Sequence, residues 1–131
     1  MMKDDCLFCK IVKGEIPSLT IYEDELVKVF LDINPSTNGD CLIIPKNHYE
    51  NFLDLDKNLI PHIHEVSLKI YKLLKEKLDI DGLTIIQNNF YGQEVKHYHV
   101  HLTPRYKNDL LGHSFNKDAL VDIKDVFDSL K

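Results

Sequence analysis

The chain has 131 residues, of which 44% are hydrophobic and 28% are charged, and its formal net charge is -5. That length and composition suit one globular domain, and the negative charge argues against a protein that binds nucleic acid without regard to sequence, because such a protein needs a basic surface. With no apolar leader and no apolar run near the roughly 20 residues of a membrane span, we expect a cytoplasmic protein without a membrane partner.

Helix and strand periodicities alternate along the chain and predict an α+β domain. A short helix is expected over residues 6–13, strands over 19–23, 25–32 and 41–44, a long helix over 57–78, strands over 82–88 and 95–105, and an acidic helix or partly ordered tail over 117–131. Short links between successive strands favour antiparallel pairing. We therefore expect an antiparallel sheet of about five strands backed by one long helix. A single domain should span 1–131, with its core at 6–105 and a C-terminal segment at 106–131.

The long helix is indicated by apolar residues that recur with the helical period at positions 59, 63, 66, 70, 74 and 78. Asp54 or Asp56 is expected to cap its start. Pro61 suits the first turn, where its missing N–H costs nothing, and Gly82 lies just beyond the predicted end.

Three histidines, His97, His99 and His101, stand at alternate positions with apolar residues between them. In a β-strand, side chains at every second position share a face, so these imidazoles would line one surface. A histidine between two others could attack phosphorus as a neutral nucleophile, helped by the neighbouring rings. The backbone amides of the glycine-containing loop at 92–95 are placed to bind the phosphate oxygens. A catalytic zinc site made of the three histidines is the alternative.

Cys6 and Cys9 form a Cys-x-x-Cys pair, and Cys41 is the third cysteine. In a cytosolic protein such a pair suits a metal or redox site better than a disulfide. Two thiolates and two imidazoles would make a closed tetrahedral zinc site, but seven histidines are candidates and spacing alone does not choose among them. Two reduced thiols without a metal are the alternative. Cys41 lies in an apolar run and is expected to be a buried, unreactive thiol.

Polar residues at the ends of predicted strands are candidates for contacts with a nucleotide. Asp32 ends an apolar strand and could bond a ribose diol, as acidic residues do at strand ends in other nucleotide sites. A cap for the Asn-Pro loop that follows is equally compatible with this position. Asn88 and Asn89 end a later strand and allow the same two interpretations. His62 and His64 on the long helix are interpreted as solvated or packing residues.

Four segments of the chain resemble the histidine triad (HIT) family of nucleotide hydrolases and transferases. They are Cys-Leu-Phe-Cys-Lys-Ile-Val-Lys-Gly-Glu-Ile-Pro at 6–17, Phe-Leu-Asp-Ile-Asn-Pro at 30–35, Leu-Ile-Ile-Pro-Lys-Asn-His at 42–48 and Gly-Gln-Glu-Val-Lys-His-Tyr-His-Val-His-Leu-Thr-Pro-Arg at 92–105. The resemblance covers most of the chain and is strongest to the bacterial-type members of the branch that includes nucleoside phosphoramidases.

The resemblance implies a homodimeric HIT-like fold with a purine nucleotide in a cleft beside the sheet. His99 would be the nucleophile that takes the nucleoside monophosphate as a covalent intermediate, and His101 would contact the phosphate; with His97 they form the predicted catalytic set. Asp32 would hold the ribose hydroxyls. The remaining predicted contacts are Phe30 and Ile33 to the base, and Asn88, Gly92, Gln93, Glu94 and Val95 to the phosphate.

The resemblance also implies a metal centre. Family members with the paired cysteines hold a structural zinc ion on residues that correspond here to Cys6, Cys9, His48 and His97. The implied activity is hydrolysis of purine nucleoside phosphoramidates at the α-phosphate; a dinucleoside polyphosphate hydrolase and a nucleotide-binding regulatory protein with incidental hydrolysis are the alternatives. Glu94 departs from the family pattern, since many members carry Ser or Thr there. It is expected to lie beside the leaving group.

Overall fold

A five-stranded antiparallel sheet forms the centre of the molecule, which is described over residues 2–131 in a computed structural model. In chain order the elements are α1 (Leu7–Val12), β1 (Thr20–Glu23), β2 (Val27–Leu31), β3 (Cys41–Pro45), α2 (Leu59–Leu78), β4 (Gly82–Ile86), β5 (Val100–Arg105), a 3₁₀ turn (Lys117–Ala119) and α3 (Ile123–Ser129). The strands lie in the order β1-β2-β3-β5-β4. The predicted α+β architecture, with one sheet and one long helix, is confirmed.

Alternating side chains divide the core between the two faces of the sheet. On one face, Val29, Ile43 and Leu102 are fully buried against the apolar stripe of α2. On the other face, Phe30 and Ile44 join a smaller cluster built around α1. Burying each of these large side chains stabilises the fold by about 1.5–3 kcal/mol. The period of two in the strands therefore fixes which residues face α1, and His101 lies opposite Leu42 on that face.

The ends of α2 differ from the predicted capping. The helix begins at Leu59 with Asn58 as its N-cap residue, and no side chain caps it. Asp56 instead accepts a hydrogen bond from the Asn58 amide, and Asp54 accepts from two amides of the preceding turn. At the other end Asp79 adopts the left-handed conformation, with φ of 50°, and ends the helix before Gly82. Short-range bonds within the turns explain why neither aspartate caps the helix.

The triad segment is only partly a strand. The expectation of a strand over 95–105 is wrong for its first half, because β5 begins at Val100 and pairs there with Ile43. Upstream, the His97 amide bonds to the Val95 carbonyl and the Tyr98 amide bonds to a carbonyl beyond β3, at 2.6 Å. Those bonds bend the chain before it joins the sheet. β4 is also shorter than predicted, because it ends at Ile86 rather than at residue 88.

Beyond β5 the chain lies on the surface. All residues from 111 to 131 are exposed, including the apolar side chains of α3. Across residues 2–131, none of the helices combines the length and the apolar character needed to cross a membrane.

Candidate functional site

The three triad imidazoles occupy neighbouring positions on the α1 side of the sheet, although only the last of them belongs to a strand. His97 is fully buried, His99 is 4% exposed and His101 is half-buried. The rings of His99 and His101 pack edge to face with centroids 5.0 Å apart. On β5, His101 lies opposite Leu42 of β3 and Ile86 of β4. The shared side predicted for the three histidines therefore holds even though the regular strand does not.

A backbone hydrogen bond sets the tautomer of His99. Its Nδ1 lies 2.7 Å from the carbonyl oxygen of His97, and because a carbonyl only accepts, Nδ1 must carry the proton. Nε2 is then the unprotonated nitrogen with a free lone pair. Burial, the largest effect, and the neighbouring His101 both lower the pKa of His99, against the opposing effect of that hydrogen bond. The ring is therefore neutral near pH 7, as a nucleophilic imidazole must be.

The residues predicted to bind the nucleoside lie around β2 and the loop that follows it. Phe30 is buried, with its ring edge-on to that of Phe8 at 5.7 Å. Ile33 is 87% exposed, so its apolar side chain is accessible from solvent. Asp32 is half-buried, and its Oδ1 accepts the Asn34 amide at 2.9 Å, which is the loop-capping role. A carboxylate has a second oxygen, so this cap does not compete with a ribose contact.

The loop predicted to bind phosphate is fixed from inside by one side chain. Gln93 is buried. Its side-chain nitrogen donates to the Glu50 carbonyl at 2.6 Å, and its side-chain oxygen accepts a hydrogen bond from the Phe90 backbone amide. That side chain therefore shapes the loop. The Gln93 backbone N–H donates to the Phe90 carbonyl at 3.0 Å, so the amides that this loop offers a phosphate are those of its neighbours. Gly92 has a φ of 93°, a conformation that suits glycine and exposes the chain at the turn.

The other predicted loop residues surround this turn. Glu94 is exposed, and its negative charge is close enough to oppose the lowering of the His99 pKa. Val95 is half-buried against the cluster around α1, and Asn88 is half-buried in the segment after β4. Arg105, the one arginine of the chain, is bonded to Asp109 and is not directed to this loop. No guanidinium is therefore offered to a phosphate here, which leaves backbone amides and imidazoles as the predicted donors.

The four predicted metal ligands meet at one point. Cys6 and Cys9 come from the start of α1, His48 from the loop after β3 and His97 from the segment before β5. Their ligand atoms all lie within 4.8 Å of one another. The Nδ1 atom of His97 is 3.4 Å from the Cys6 Sγ and 3.6 Å from the Cys9 Sγ, and the His48 Nδ1 is 3.4 Å from the Cys9 Sγ.

This arrangement fits a tetrahedral ion. Zinc bonds of about 2.3 Å to sulfur and about 2.0–2.1 Å to nitrogen place neighbouring ligand atoms about 3.6 Å apart in a tetrahedron, which matches the observed separations. His97 donates from Nε2 to the Pro45 carbonyl at 2.8 Å, which leaves Nδ1 unprotonated toward the cysteines. Burial lowers the pKa of His48 and takes that of His97 to about 4, so both rings are neutral, as ligands must be.

Sequence reasoning missed Phe8 as part of this site. Its ring packs edge-on to His99 with centroids 5.1 Å apart and to His97 at 5.8 Å. Phe8 lies between the two cysteines on α1, so the segment that presents the thiols also presents this ring to the triad. The one available signal was its place inside the Cys-x-x-Cys pair, which did not by itself indicate contact with residues 90 positions away.

Comparisons with known proteins identify relatives of this chain. The family model described as "HIT domain" matches residues 13–108. An uncharacterized HIT-like protein of Methanocaldococcus jannaschii is 42% identical over 128 residues, covering 96% of this chain and 98% of its own. The adenosine 5'-monophosphoramidase HNT1 of Saccharomyces cerevisiae is 37% identical over 102 residues, covering 76% of this chain and 62% of its own.

A solved structure described as a Zn-bound histidine triad family protein, from Mycobacterium smegmatis, matches the fold with a TM-score of 0.79. It is 36% identical in sequence and covers 87% of this chain and 84% of its own. The family match spans most of the chain and includes all three triad histidines. On this evidence the chain belongs to the HIT domain family, whose hydrolase members act on nucleotides.

Proposed function

We propose that the protein hydrolyses purine nucleoside phosphoramidates through a covalent nucleotidyl intermediate on His99. The observation that carries this proposal is the hydrogen bond from His99 Nδ1 to the His97 carbonyl, which leaves Nε2 as a neutral nucleophile. The relative named as an adenosine 5'-monophosphoramidase supports the choice of substrate class. The half-buried Asp32 and the exposed apolar side chain of Ile33, with Phe30 buried next to them in the sequence, supply groups that suit a ribose and a base.

In the first step, Nε2 of His99 attacks the α-phosphorus and forms a P–N bond to the imidazole. The bond from phosphorus to the leaving nitrogen breaks, and that nitrogen takes a proton from solvent water and leaves as an amine. His101, whose ring centroid lies 5.0 Å from that of His99, would contact the phosphate oxygens. Backbone amides of Gly92, Glu94 and Val95 in the neighbouring loop stabilise the negative charge that builds up on those oxygens.

In the second step, water attacks the same phosphorus, breaks the bond to His99 and releases one proton to the solvent, which balances the proton taken up by the amine. The products are a nucleoside monophosphate and the free imidazole. The His97 carbonyl accepts a hydrogen bond from Nδ1–H throughout. It therefore stabilises the positive charge that the ring carries while it is bound to phosphorus.

The direct test compares substrates with one enzyme preparation. We expect turnover of an adenosine phosphoramidate to exceed that of a diadenosine polyphosphate, because the exposed carboxylate of Glu94 penalises an anionic leaving group. Intact-mass measurement on quenched enzyme should show an added nucleoside monophosphate. Faster cleavage of the polyphosphate would favour the dinucleoside polyphosphate hydrolase instead, and nucleotide binding without turnover would favour a regulatory protein.

We also propose that Cys6, Cys9, His48 and His97 hold a structural zinc ion. When bound, the ion would tie α1 to the loop after β3 and to the triad segment, and with four protein ligands it would leave no position for substrate. Elemental analysis should find about one zinc per chain. Replacing both cysteines with serine should lower the melting temperature more than it changes nucleotide affinity, whereas equal stability without metal would contradict the assignment.

A homodimer, which the family resemblance implies, is part of the same proposal. β4 is an edge strand whose Ile85 and Ile86 are 58% and 43% exposed. An uncovered apolar edge is a surface on which another strand can pair. The exposed stripe of α3, made of Ile123, Val126, Phe127 and Leu130, is a second apolar surface that a partner copy could cover.

A further inference from the structure

One residue, His97, belongs both to the metal centre and to the hydrogen bond that prepares the nucleophile. Its ring presents Nδ1 to Cys6 and Cys9, while Nε2 donates to the Pro45 carbonyl. The backbone carbonyl oxygen of His97 accepts a hydrogen bond from His99 Nδ1, and the two atoms are 2.7 Å apart. The position of that carbonyl therefore depends on how firmly the His97 ring is held.

The segment that carries the carbonyl has buried side chains, but few hydrogen bonds hold its backbone. It precedes β5, so no sheet ladder fixes it before Val100. Apart from the metal centre, the bonds that position it are the Nε2 bond to Pro45, the Tyr98 amide to the Tyr49 carbonyl and the turn between His97 and Val95. A bound ion would add a bond at Nδ1 and would link the segment to α1. It would also fix Phe8, whose ring packs on both His97 and His99.

We propose that the metal centre is a positioning element for catalysis: by holding His97, it keeps the His97 carbonyl and the Phe8 ring where they fix the tautomer and orientation of His99. The proposal rests on the proposed function for its effect on turnover, but not for its effect on the imidazole. The ion takes no part in bond making. Its influence passes through one carbonyl and one aromatic ring.

The first measurement reads the imidazole directly. In protein with ¹⁵N-labelled histidine, two-bond proton–nitrogen spectra distinguish a ring protonated on Nδ1 from one protonated on Nε2. Zinc-loaded protein should show a single His99 signal of the Nδ1–H form. Removing zinc with a chelator should broaden that signal or shift it toward a mixture of tautomers, and adding zinc back should restore it. An unchanged His99 signal in folded, zinc-free protein would overturn the proposal.

The second measurement separates positioning from general stability. Replacing Cys6 and Cys9 with serine should lower kcat about tenfold or more with little change in KM, since a small misplacement of the reacting group affects the transition state most. Cys41→Ser is the matched control, because this buried cysteine belongs to the core on the α2 side of the sheet. It should lower the melting temperature while leaving the zinc content and kcat unchanged. If the double serine variant and Cys41→Ser lose the same kcat at the same loss of stability, the positioning role of the metal centre is contradicted.

If the zinc-free chain unfolds, the same test is made on folded protein with cadmium in place of zinc. Cadmium also binds thiolate and imidazole ligands but is a larger ion, so it would displace the His97 ring while the fold is retained. The proposal then predicts a shifted His99 nitrogen signal and a lower kcat with cadmium, and identical spectra and rates with both metals would overturn it. If zinc-loaded protein turns over no nucleotide, the proposed function fails, while the spectra still decide the coupling.

Discussion

The reactivity of His99 depends on atoms that it touches rather than on its place in the triad alone. A free histidine exchanges between two tautomers, whereas the bond to the His97 carbonyl selects the one with Nε2 unprotonated. Burial removes most of the water that would favour the charged ring, and so lowers the pKa of His99. Together these two effects leave the proposed nucleophile neutral, with Nε2 unprotonated.

Replacing His99 with Asn should abolish turnover, because an amide nitrogen does not attack phosphorus. The fold and nucleotide binding should be retained, since asparagine can still donate to the His97 carbonyl. The covalent nucleotidyl adduct should disappear from the intact-mass spectrum. His113→Asn is the control, because that histidine lies in the exposed C-terminal segment, and it should leave the rate unchanged. A wild-type rate in His99→Asn would exclude this residue as the nucleophile.

The charge of Glu94 should determine the preference for the leaving group. A carboxylate near His99 repels an anionic leaving group, such as a second nucleotide phosphate, and attracts a cationic amine. Glu94→Ser should therefore shift the ratio of the two kcat/KM values, phosphoramidate over dinucleoside polyphosphate, toward the polyphosphate. Lys96→Ser, two residues along the same segment and also exposed, tests whether any change of charge has this effect. An unmoved ratio in Glu94→Ser would mean that only the backbone of this loop matters.

At the scale of secondary-structure elements, a polar cluster fixes the β1–β2 turn to α2. One oxygen of Asp24 accepts from the Tyr22 hydroxyl and contacts His62 Nε2, each at 2.7 Å, and the other accepts the amides of Leu26 and Val27. Burial opposes ionisation of Asp24, but these hydrogen bonds outweigh it and lower the pKa from 3.8 to about 2. His62, expected to be solvated or packing, thus joins the turn to the helix.

Asp24→Asn should destabilise the fold in a pH-dependent way. A carboxyl group whose pKa is lower in the folded state stabilises that state fully when the pH is above the unfolded-state pKa of 3.8. This stabilisation is lost as the pH falls through the folded-state pKa of about 2. Allowing for partial exposure, we expect a loss of about 1–2 kcal/mol at pH 7, shrinking toward zero near pH 2. Urea unfolding at several pH values measures it. Asp118→Asn, on the exposed 3₁₀ turn, should change little, and a pH-independent loss would exclude the ionised carboxylate as the cause.

At the scale of the whole molecule, the uncovered edge at β4 is the feature that a monomer does not explain. If two copies pair along this edge, Ile85→Lys should place charges in the interface and convert a dimer into a monomer. Sedimentation velocity measures the change. Leu19→Lys, beside the opposite edge strand, is the matched control, since this residue is also exposed. A dimer that persists in Ile85→Lys would place the interface elsewhere, and a monomeric wild-type protein would contradict the homodimer.

The elements and their order could be predicted because they follow from local patterns. Apolar residues with a period near 3.6 predict α2, and apolar runs with turn residues between them predict the strands. The ends were less predictable: α2 lacks the predicted aspartate cap, and the triad strand starts at Val100. In both places bonds to nearby backbone compete with the regular structure, and the identity of a single residue does not show which bond forms.

The sequence by itself determined the sheet, the long helix and the family, because periodicity and motif spacing are properties of neighbouring residues. The family resemblance implied that His48 and His97 meet the two cysteines, but only the tertiary structure decided the distances in that cluster and the partners of His62 and His99. The contact between Cys6 and His97 spans 91 positions, and that between Asp24 and His62 spans 38. The bond that prepares His99 needs a bend that sequence periodicity does not reveal. Such contacts depend on the packing of α1, α2 and the sheet, so their geometry exists only once the chain has folded.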